Sequence, residues 1–397
     1  MTSWTNRSAL PTRTAVTAAV AALAATALVA PTAQAAPKPK DAVGLAIQQR
    51  VDQMVTDGAI GAIARVDTPT YSGSVAAGKR AVNENPPALP NSQFRVASQT
   101  KPMVATAVLQ QVQKGTWSLD TTIGEVLPGL VPGHEGVTIE QLLSHTSGMP
   151  DPLFSLITSR MQDQESNAEF FAVMAQDYTD QQIVDAMNAL PWAFEPGTDF
   201  LYSNAGYVVL GMMLEARTGR TMADILMRDV FKPARMNQTE FKDAAGMRGQ
   251  GLEDAGWAEG QWYSLADFNP ALFSSAGSVV STTKDINAFN DALLQGRLLD
   301  PTWLEQVKSP RSSKGLDYGL GLYRMPDPCA PAPAEGQEPA WLYGHDGASF
   351  GSMSMTLTSP DGSRNYTVAA NGRYFDGELV QPYDHVGALF DLISATC

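Results

Sequence analysis

Residues 94–103 read Phe-Arg-Val-Ala-Ser-Gln-Thr-Lys-Pro-Met, and residues 105–112, which follow almost directly, are rich in apolar side chains. The apolar run predicts a buried helix that ends near Lys114. If this helix begins near Ser98, the spacing places the Ser98 hydroxyl and the Lys101 amine on one face, one turn apart. A lysine that burial keeps neutral can accept the proton of a serine hydroxyl, which is otherwise a poor nucleophile. The stretch therefore predicts a buried helix that carries a nucleophile and its base.

A second Ser-x-x-Lys motif, residues 281–284, shows that the motif alone is a weak signal. In this copy Thr282 and Asp285 precede a run with helical periodicity, and this is the pattern of a capping box at the start of a helix. We therefore expect Ser281 to have a structural role.

Composition and charge restrict the class of protein. The chain has 397 residues, an ordinary globular composition and a net charge of −14. Because a negative surface repels nucleic acid and anionic lipid, we expect neither as a partner. The four histidines form no His-x-x-x-His pair, so we expect no metal site and no cofactor.

Residues 1–35 have the pattern of a secretory signal. Arg7 and Arg13 precede an alanine-rich apolar run, and the segment ends in Ala33-Gln34-Ala35. We predict cleavage after Ala35, a secreted extracellular protein and no contact with a membrane afterwards. An uncleaved membrane anchor is the alternative, although the apolar run is short for a span.

The chain contains two cysteines, Cys329 and Cys397. In an exported protein an isolated pair is expected to form a disulfide rather than a metal site. Closing a loop of this length would stabilise the fold by about 4 kcal/mol in the chain-entropy description.

Hydrophobic periodicity divides the mature chain into parts. Strand patterns occur between residues 60 and 76 and again between 318 and 370, whereas helical patterns dominate between them. This order predicts a mixed α/β (α+β) fold. Both ends of the chain form one α/β lobe, and an all-helical lobe is inserted between them. The predicted boundaries are residues 36–125 with 315–397 for the α/β lobe and 126–314 for the helical lobe. A site would lie in the cleft between the lobes.

Two further motifs carry polar side chains. Tyr202-Ser203-Asn204 lies between a Glu-Pro-Gly turn and an apolar helix, so its tyrosine could relay protons and its asparagine could bind a substrate. A buried structural tyrosine and a helix cap are the alternatives. His345-Asp346-Gly347 follows an apparent strand, whose edge can hold an extended substrate by β-pairing, and its glycine permits close approach.

Residues 347–351 also match the Gly-x-Ser-x-Gly nucleophile elbow, and Asp376 and His385 follow in the matching order. That elbow requires a strand, a turn and then a helix at the serine. Here a further strand pattern follows Ser349, so we do not expect Ser349 to be the nucleophile.

Taken in order, the Ser98, Tyr202 and His345 motifs resemble those of the serine penicillin-recognising enzymes. The resemblance is to the branch that contains class C β-lactamases, Streptomyces-type D-alanyl-D-alanine carboxypeptidases and related esterases and D-aminopeptidases. It covers nearly all of the mature chain and includes residues 142–148 and 318–322. It implies a β-lactamase/transpeptidase-like fold with an antiparallel sheet flanked by helices.

The resemblance also implies roles for individual residues. Ser98 would be acylated, while Lys101 and Tyr202 would manage the serine proton. The backbone N–H groups of Ser98 and Ala348 would form the oxyanion hole. The residues that would bind the substrate are Asn204, His345, Asp346, Gly347 and Ala348.

The chain departs from the carboxypeptidase pattern at several positions. Asp346 and Ala348 stand where hydroxyl side chains are expected, and Tyr323 stands where an arginine is expected, with Arg324 one residue late. An aspartate would repel a substrate carboxylate by about 1 kcal/mol. These departures favour an amide, peptide or ester substrate, preferably a D-amino acid-containing peptide.

Other functions remain open from the sequence. They are a strict D-alanyl-D-alanine carboxypeptidase, a β-lactamase and a non-catalytic penicillin-binding receptor. We expect a monomer whose partners are a small-molecule or peptide substrate, with cell-wall peptide as one candidate, and β-lactams as covalent ligands.

Overall fold

The computed structural model describes residues 40–83, 85–247, 250–312, 314, 316–375 and 381–397. Its α-helices are α1 (Lys40–Thr56), α2 (Thr100–Gln113), α3 (Ile123–Val126), α4 (Ile139–Leu143), α5 (Leu153–Thr158), α6 (Asn167–Val173), α7 (Asp180–Asn188), α8 (Asn204–Thr218), α9 (Met222–Leu226), α10 (Thr283–Leu294), α11 (Pro301–Lys308) and α12 (His385–Ser394). Its strands are β1 (Gly61–Asp67), β2 (Ser72–Gly78), β3 (Phe94–Arg95), β4 (Glu240–Phe241), β5 (Ala255–Ala258), β6 (Gln261–Ser264), β7 (Val279–Ser281), β8 (Tyr323–Pro326), β9 (Trp341–Ala348), β10 (Ser352–Thr358), β11 (Asn365–Asn371) and β12 (Arg373–Tyr374). The predicted signal segment, residues 1–35, lies outside the described residues.

The main sheet has six strands in the order β2-β1-β11-β10-β9-β8, and every neighbouring pair is antiparallel. Helices α1 and α12 pack on one face, and α10 packs on the other. Apolar side chains of β1 point to both faces of the sheet, so both faces need to be covered. Ala62 and Val66 belong to the core beneath α1, whereas Ile63 belongs to the core around α2. The predicted fold class, with an antiparallel sheet flanked by helices, is confirmed.

Helix α2 is buried around almost its whole circumference. Nearly all of its 14 residues are buried, and it packs against α8 and α9. A helix that is apolar on every side belongs to an interior, as the run at residues 105–112 predicts. Pro102 is tolerated because it lies in the first turn, where its missing N–H would have no partner within the helix.

The middle of the chain, for which the sequence predicts an all-helical lobe, is mostly helical but also contains short strands. Strands β4 to β7 take part in two three-stranded sheets, β12-β5-β6 and β3-β7-β4. In the second sheet β3 pairs with β7, which brings the Ser98 segment beside residues 279–281. The described residues form one compact unit. The lobe boundaries proposed from the sequence therefore stay a prediction.

Two predicted elements begin later than their patterns indicate. The strand expected from Tyr318 begins at Tyr323, because the intervening Gly321 has a φ of +96° that breaks the extended conformation. The last helix begins at His385, since the Asp384 side chain accepts a hydrogen bond from the Gly387 N–H at 2.8 Å and caps the helix there. The sequence pattern predicts this helix from Asp376 to Ala395, and residues 376–380 lie outside the described residues.

The predicted disulfide is present. Cys329 and Cys397 are joined, with their Cα atoms 5.3 Å apart, and the bond ties the end of the chain after α12 to the segment after β8. Within the described residues, no helix combines the length and apolar character that a membrane span requires.

Candidate active site

Ser98 and Lys101 meet at the start of α2. Ser98 lies in a 3-10 turn, Ala97–Gln99, that leads directly into the helix, and Lys101 lies in its first turn. The Lys101 Nζ is 3.0 Å from the Ser98 Oγ. Ala97 has a φ of 46°, which is uncommon for a residue with a side chain and turns the backbone sharply before the serine. The two predicted residues are thus within hydrogen-bond distance.

The amine of Lys101 is completely enclosed. Besides Ser98, its Nζ donates hydrogen bonds to the Asn204 Oδ1 at 2.8 Å and to the Ala276 carbonyl oxygen at 3.0 Å. Burial lowers the pKa of Lys101 to about 7, and the nearby carboxylates of Asp151 and Asp346 act in the opposite direction. Near neutral pH a substantial fraction of the amine is therefore unprotonated, with a lone pair available to the Ser98 hydroxyl.

Tyr202 lies beside the lysine. Its ring centroid is 4.7 Å from the Lys101 Nζ, and its buried hydroxyl has no hydrogen-bond partner in the part of the chain that the structure describes. Burial raises the pKa of Tyr202 well above 10, Asp346 adds to this effect, and the adjacent Ser98 hydroxyl partly opposes it. Tyr202 is therefore a neutral phenol at neutral pH, next to both Lys101 and Ser98.

Asn204 links the lysine to a carboxylate. It is the first residue of α8, and while its Oδ1 accepts from Lys101, its Nδ2 donates to the Asp151 Oδ2 at 2.7 Å. A side-chain amide nitrogen carries two N–H groups, so one remains beyond the bond to Asp151. The predicted role of Asn204 in holding a substrate amide stays a prediction.

His345 lies on β9 with both ring nitrogens used within the protein. Its Nδ1 is 2.6 Å from the Asp346 carbonyl oxygen, so Nδ1 carries the hydrogen and Nε2 accepts from the Tyr318 hydroxyl at 2.9 Å. Burial lowers the pKa of His345 to about 4, with Asp346 opposing and Lys101 reinforcing the shift. His345 is neutral at neutral pH, and direct hydrogen bonding to a substrate stays a prediction that these contacts do not favour.

Asp346 extends toward solvent beside this site. Its side chain is 46% exposed, and its Oδ1 lies 3.5 Å from the neutral His345 ring. One alternative is that Asp346 pairs with Arg324 or Arg373, but both arginines have other partners. Arg324 binds Asp317 and Glu338, and Arg373 donates to the Ser349 carbonyl oxygen. Asp346 is thus a carboxylate without an arginine partner among the described residues.

Gly347 and Ala348 bring the strand against the Ser98 segment. A Cβ at Gly347 would lie 2.1 Å from the Val96 carbonyl oxygen, so only glycine allows this approach. The Ser349 N–H donates to the Ser352 carbonyl oxygen at 3.0 Å. Hydrogen-bonded and non-hydrogen-bonded pairs alternate in an antiparallel ladder. Because Ser349 and Ser352 form a hydrogen-bonded pair, the neighbouring Ala348–Met353 pair is a non-hydrogen-bonded one, and the Ala348 N–H points away from β10. That N–H points to the other side of β9, beyond the residues 341–344 that pair with β8, where an oxyanion would lie.

Comparisons with known proteins identify the family of this chain. Residues 46–384 match the beta-lactamase family. The chain belongs to the beta-lactamase family. Penicillin-binding protein 4* of Bacillus subtilis (strain 168) is 29% identical over 260 residues, which are 60% of this chain and 54% of that protein. The chain spans about half the length, or less, of the curated relatives that it matches.

Two solved structures resemble most of this chain in fold. A D-stereospecific amidohydrolase from Streptomyces sp. has a TM-score of 0.75 and 26% identity, over 89% of this chain and 98% of that one. The D-amino acid amidase from Ochrobactrum anthropi SV3 has a TM-score of 0.74 and 26% identity, over the same shares. The predicted membership among serine penicillin-recognising enzymes, a family of serine hydrolases, is confirmed.

Ser349, the serine of the Gly-x-Ser-x-Gly match, lies outside this catalytic group. It is buried in the tight turn that joins the antiparallel strands β9 and β10, with no helix after it, so the nucleophile elbow is absent there. Its Oγ donates to Asp254 and accepts from the Ser352 N–H at 2.9 Å.

Two residues that the sequence analysis did not single out also contact the candidate site. His145 is buried, has a φ of 59°, and accepts the Ser203 N–H at its Nδ1 at 3.2 Å while its ring lies 4.2 Å from that of Tyr202. In the sequence, His145 is indicated only by the stretch of residues 142–148, which belongs to the family resemblance but assigns His145 no role. Asp151 has no motif at all, and its position follows from folding alone.

Among the described residues, no group of three or more histidine, cysteine, aspartate or glutamate side chains is arranged to hold a metal ion.

Proposed function

We propose that this beta-lactamase-family protein is a secreted serine hydrolase that cleaves amides, peptides or esters of D-amino acids through an acyl-enzyme at Ser98. The observation that carries the choice of substrate is Asp346, a half-exposed carboxylate next to the catalytic residues with no arginine partner among the described residues. The similarity to a D-stereospecific amidohydrolase and a D-amino acid amidase supports the D-configuration.

In the proposed acylation step, unprotonated Lys101 accepts the proton of the Ser98 hydroxyl as the Ser98 Oγ bonds to the substrate carbonyl carbon. The carbonyl oxygen becomes an oxyanion that the Ser98 and Ala348 N–H groups stabilise, by about 3 kcal/mol for each donor. When the tetrahedral intermediate collapses, the bond to the leaving group breaks and the leaving nitrogen or oxygen takes a proton. A lysine with a pKa of about 7 suits both proton transfers near neutral pH.

Tyr202 is proposed as the relay rather than the first base. Its raised pKa makes a phenolate costly in the resting site, whereas a neutral phenol can donate its own proton to the leaving group while it accepts one from Lys101. A water molecule then attacks the acyl carbon in the second half of the reaction, with proton transfers in the reverse direction, and Ser98 is regenerated.

Asp346 supports a substrate without a carboxylate at this edge of the site. A substrate carboxylate beside Asp346 would be repelled by about 1 kcal/mol even when both charges are well solvated, while a substrate ammonium group would be attracted by a similar amount. A D-amino acid amide or an amine-bearing peptide therefore fits the charge pattern better than a peptide that ends in a free carboxylate.

The test uses matched substrates that differ only in ending as an amide or as a free carboxylate, each in the D- and the L-form. We expect a higher kcat/KM for the D-amide. A wild type that prefers the free carboxylate would instead support a strict carboxypeptidase, and rapid hydrolysis of cephalosporins would support a β-lactamase. Labelling of Ser98 by a fluorescent penicillin with no turnover of any substrate would support the receptor function.

Export is tested separately. N-terminal sequencing of the protein recovered from culture medium should begin at Ala36. A protein that stays in the cell with residues 1–35 attached would contradict secretion.

A further inference from the structure

The structure assigns to Asp254 a role as a positioning residue that holds the two backbone segments of the oxyanion hole at a fixed separation. The inference rests on the proposed function, because it requires acyl transfer at Ser98. Asp254 lies just before β5, and it is far along the chain from every motif that the sequence indicates.

The first segment that Asp254 holds is the one that carries Ala348. The next residue, Ser349, is buried, and its Oγ donates to the Asp254 Oδ2. The same Oγ accepts from the Gly351 N–H at 3.1 Å and from the Ser352 N–H at 2.9 Å. One hydroxyl therefore organises the whole turn between β9 and β10, and a single carboxylate orients that hydroxyl.

The turn is also pressed directly against the Asp254 segment. A Cβ at Gly351 would lie 2.3 Å from the Ala255 nitrogen and 2.5 Å from the Asp254 Cβ, so the two backbones touch. Ala348 cannot shift without moving this turn, and the turn cannot shift without displacing Asp254.

The second segment is the one that leads to Ser98. Arg95 lies on β3, three residues before Ser98, and its Nε is 3.8 Å from the Asp254 Oδ2. Its Nη2 donates to the Phe268 carbonyl oxygen at 3.1 Å, and its guanidinium lies 5.0 Å above the Phe268 ring. The carboxylate of Asp254 thus contacts both segments whose N–H groups would bind the oxyanion.

Stability alone does not account for this pair. The side chains of Arg95 and Asp254 are 4% and 0% exposed, and the Arg95 Nε and Nη1 and the Asp254 Oδ1 have no hydrogen-bond partner within the described chain. A buried charge pair with unsatisfied atoms often stabilises a fold no better than apolar side chains of the same volume. Its distinctive property is a directional contact that fixes two segments relative to each other.

The experiment compares Asp254→Ala, Asp254→Asn and Ser349→Ala with the wild type, after each variant is shown to be folded. The readouts are the rate of a single acylation turnover, KM, and the affinity for a boronic acid that forms a tetrahedral adduct at Ser98. We expect Asp254→Ala to lower the acylation rate and the boronate affinity in parallel, by about tenfold or more, with KM changed less than about twofold. Asp254→Asn keeps an oxygen that accepts from Ser349, so it should restore part of both losses.

Asp285→Asn is the matched control. Asp285 is also a buried aspartate that accepts a hydroxyl hydrogen bond, from the Thr239 Oγ1 at 2.9 Å, but it lies on α10 away from Ser98. We expect it to lower the melting temperature about as much as Asp254→Asn and to leave acylation and boronate affinity unchanged.

The outcomes separate the two proposals. A wild type that neither penicillin nor the boronic acid modifies at Ser98 would overturn the proposed function and this inference with it. A reactive wild type whose folded Asp254 and Ser349 variants acylate and bind boronate as it does would overturn only the role of Asp254. If Asp254→Ala fails to fold, Asp254→Asn and Ser349→Ala decide the matter.

Discussion

The chain contains the same four-residue motif twice, and the two copies have become different structures. In the first copy Lys101 is buried and its Nζ lies 3.0 Å from the Ser98 Oγ. In the second copy Ser281 is buried and its Oγ lies 2.7 Å from the Thr239 Oγ1, whereas Lys284 is exposed to solvent. Identical spacing has therefore produced a buried, hydrogen-bonded serine–lysine pair in one place and a helix start with an exposed lysine in the other.

The difference arises from the way in which each helix begins. Helix α2 begins after a 3-10 turn and is surrounded by protein, so its second residue, Lys101, points inward. Helix α10 begins at a cap in which the Thr282 side chain accepts the Asp285 N–H at 3.2 Å. The Asp285 carboxylate then turns inward to the Thr239 hydroxyl instead of completing the predicted capping box. Lys284 is left on the solvent side.

The largest expected effect concerns the two serines. Ser98→Ala should lower acylation by a fluorescent penicillin at least about 10³-fold, because it removes the nucleophile, whereas Ser281→Ala should change it less than about twofold. Intact-mass spectrometry checks both. An acyl adduct on the Ser98→Ala protein would contradict the assignment of Ser98 as the nucleophile.

Substitutions of the two lysines should differ almost as much in their effect on the acylation rate. Lys101→Met keeps an unbranched side chain of similar length but removes the amine, so acylation should fall about 10²- to 10³-fold, while Lys284→Met should have no measurable effect. Stopped-flow labelling gives both rates. If both variants lost acylation rate equally, the burial of Lys101 would not explain why the two motifs differ in function.

The pH dependence follows from the burial of Lys101. Its pKa is lowered to about 7, and in the proposed mechanism the unprotonated amine is the active form. The acylation rate should therefore rise with pH, level off above about 7, and fall about tenfold for each unit below it. The rate of penicillin acylation between pH 5 and 9 tests this. A profile that still rises toward pH 10 would show an unperturbed lysine.

The smallest expected effect concerns the carboxylates beside the two motifs. Asp346 is half exposed next to the first, whereas Asp285 is buried and hydrogen-bonded next to the second. Asp346→Thr should shift the ratio of kcat/KM values toward the free-carboxylate substrate by up to about tenfold, equivalent to about 1.4 kcal/mol. Because Asp346 raises the pKa of Lys101, the same substitution should also move the pH profile to lower pH. An unchanged ratio would assign Asp346 no role in specificity.

Much of this protein follows from its sequence alone. The apolar run at residues 105–112 is enough to predict the buried helix α2, and alternation is enough to predict most strands of the main sheet. The pair of cysteines predicts the disulfide, and the motifs at Ser98, Tyr202 and His345 predict the family. Each of these inferences depends on local periodicity or on residue types at fixed spacings, which a linear chain displays directly.

Only the tertiary structure decided which serine has a buried lysine amine beside it. His145, Asp151 and Asp254 come from loops with no periodicity, and they reach the site through contacts between residues far apart in the chain. The decisive property of Lys101, a pKa of about 7, is likewise absent from the spacing of Ser-x-x-Lys. It depends on how completely the surrounding helices and strands exclude water from the amine, and that exclusion exists only once the chain has folded.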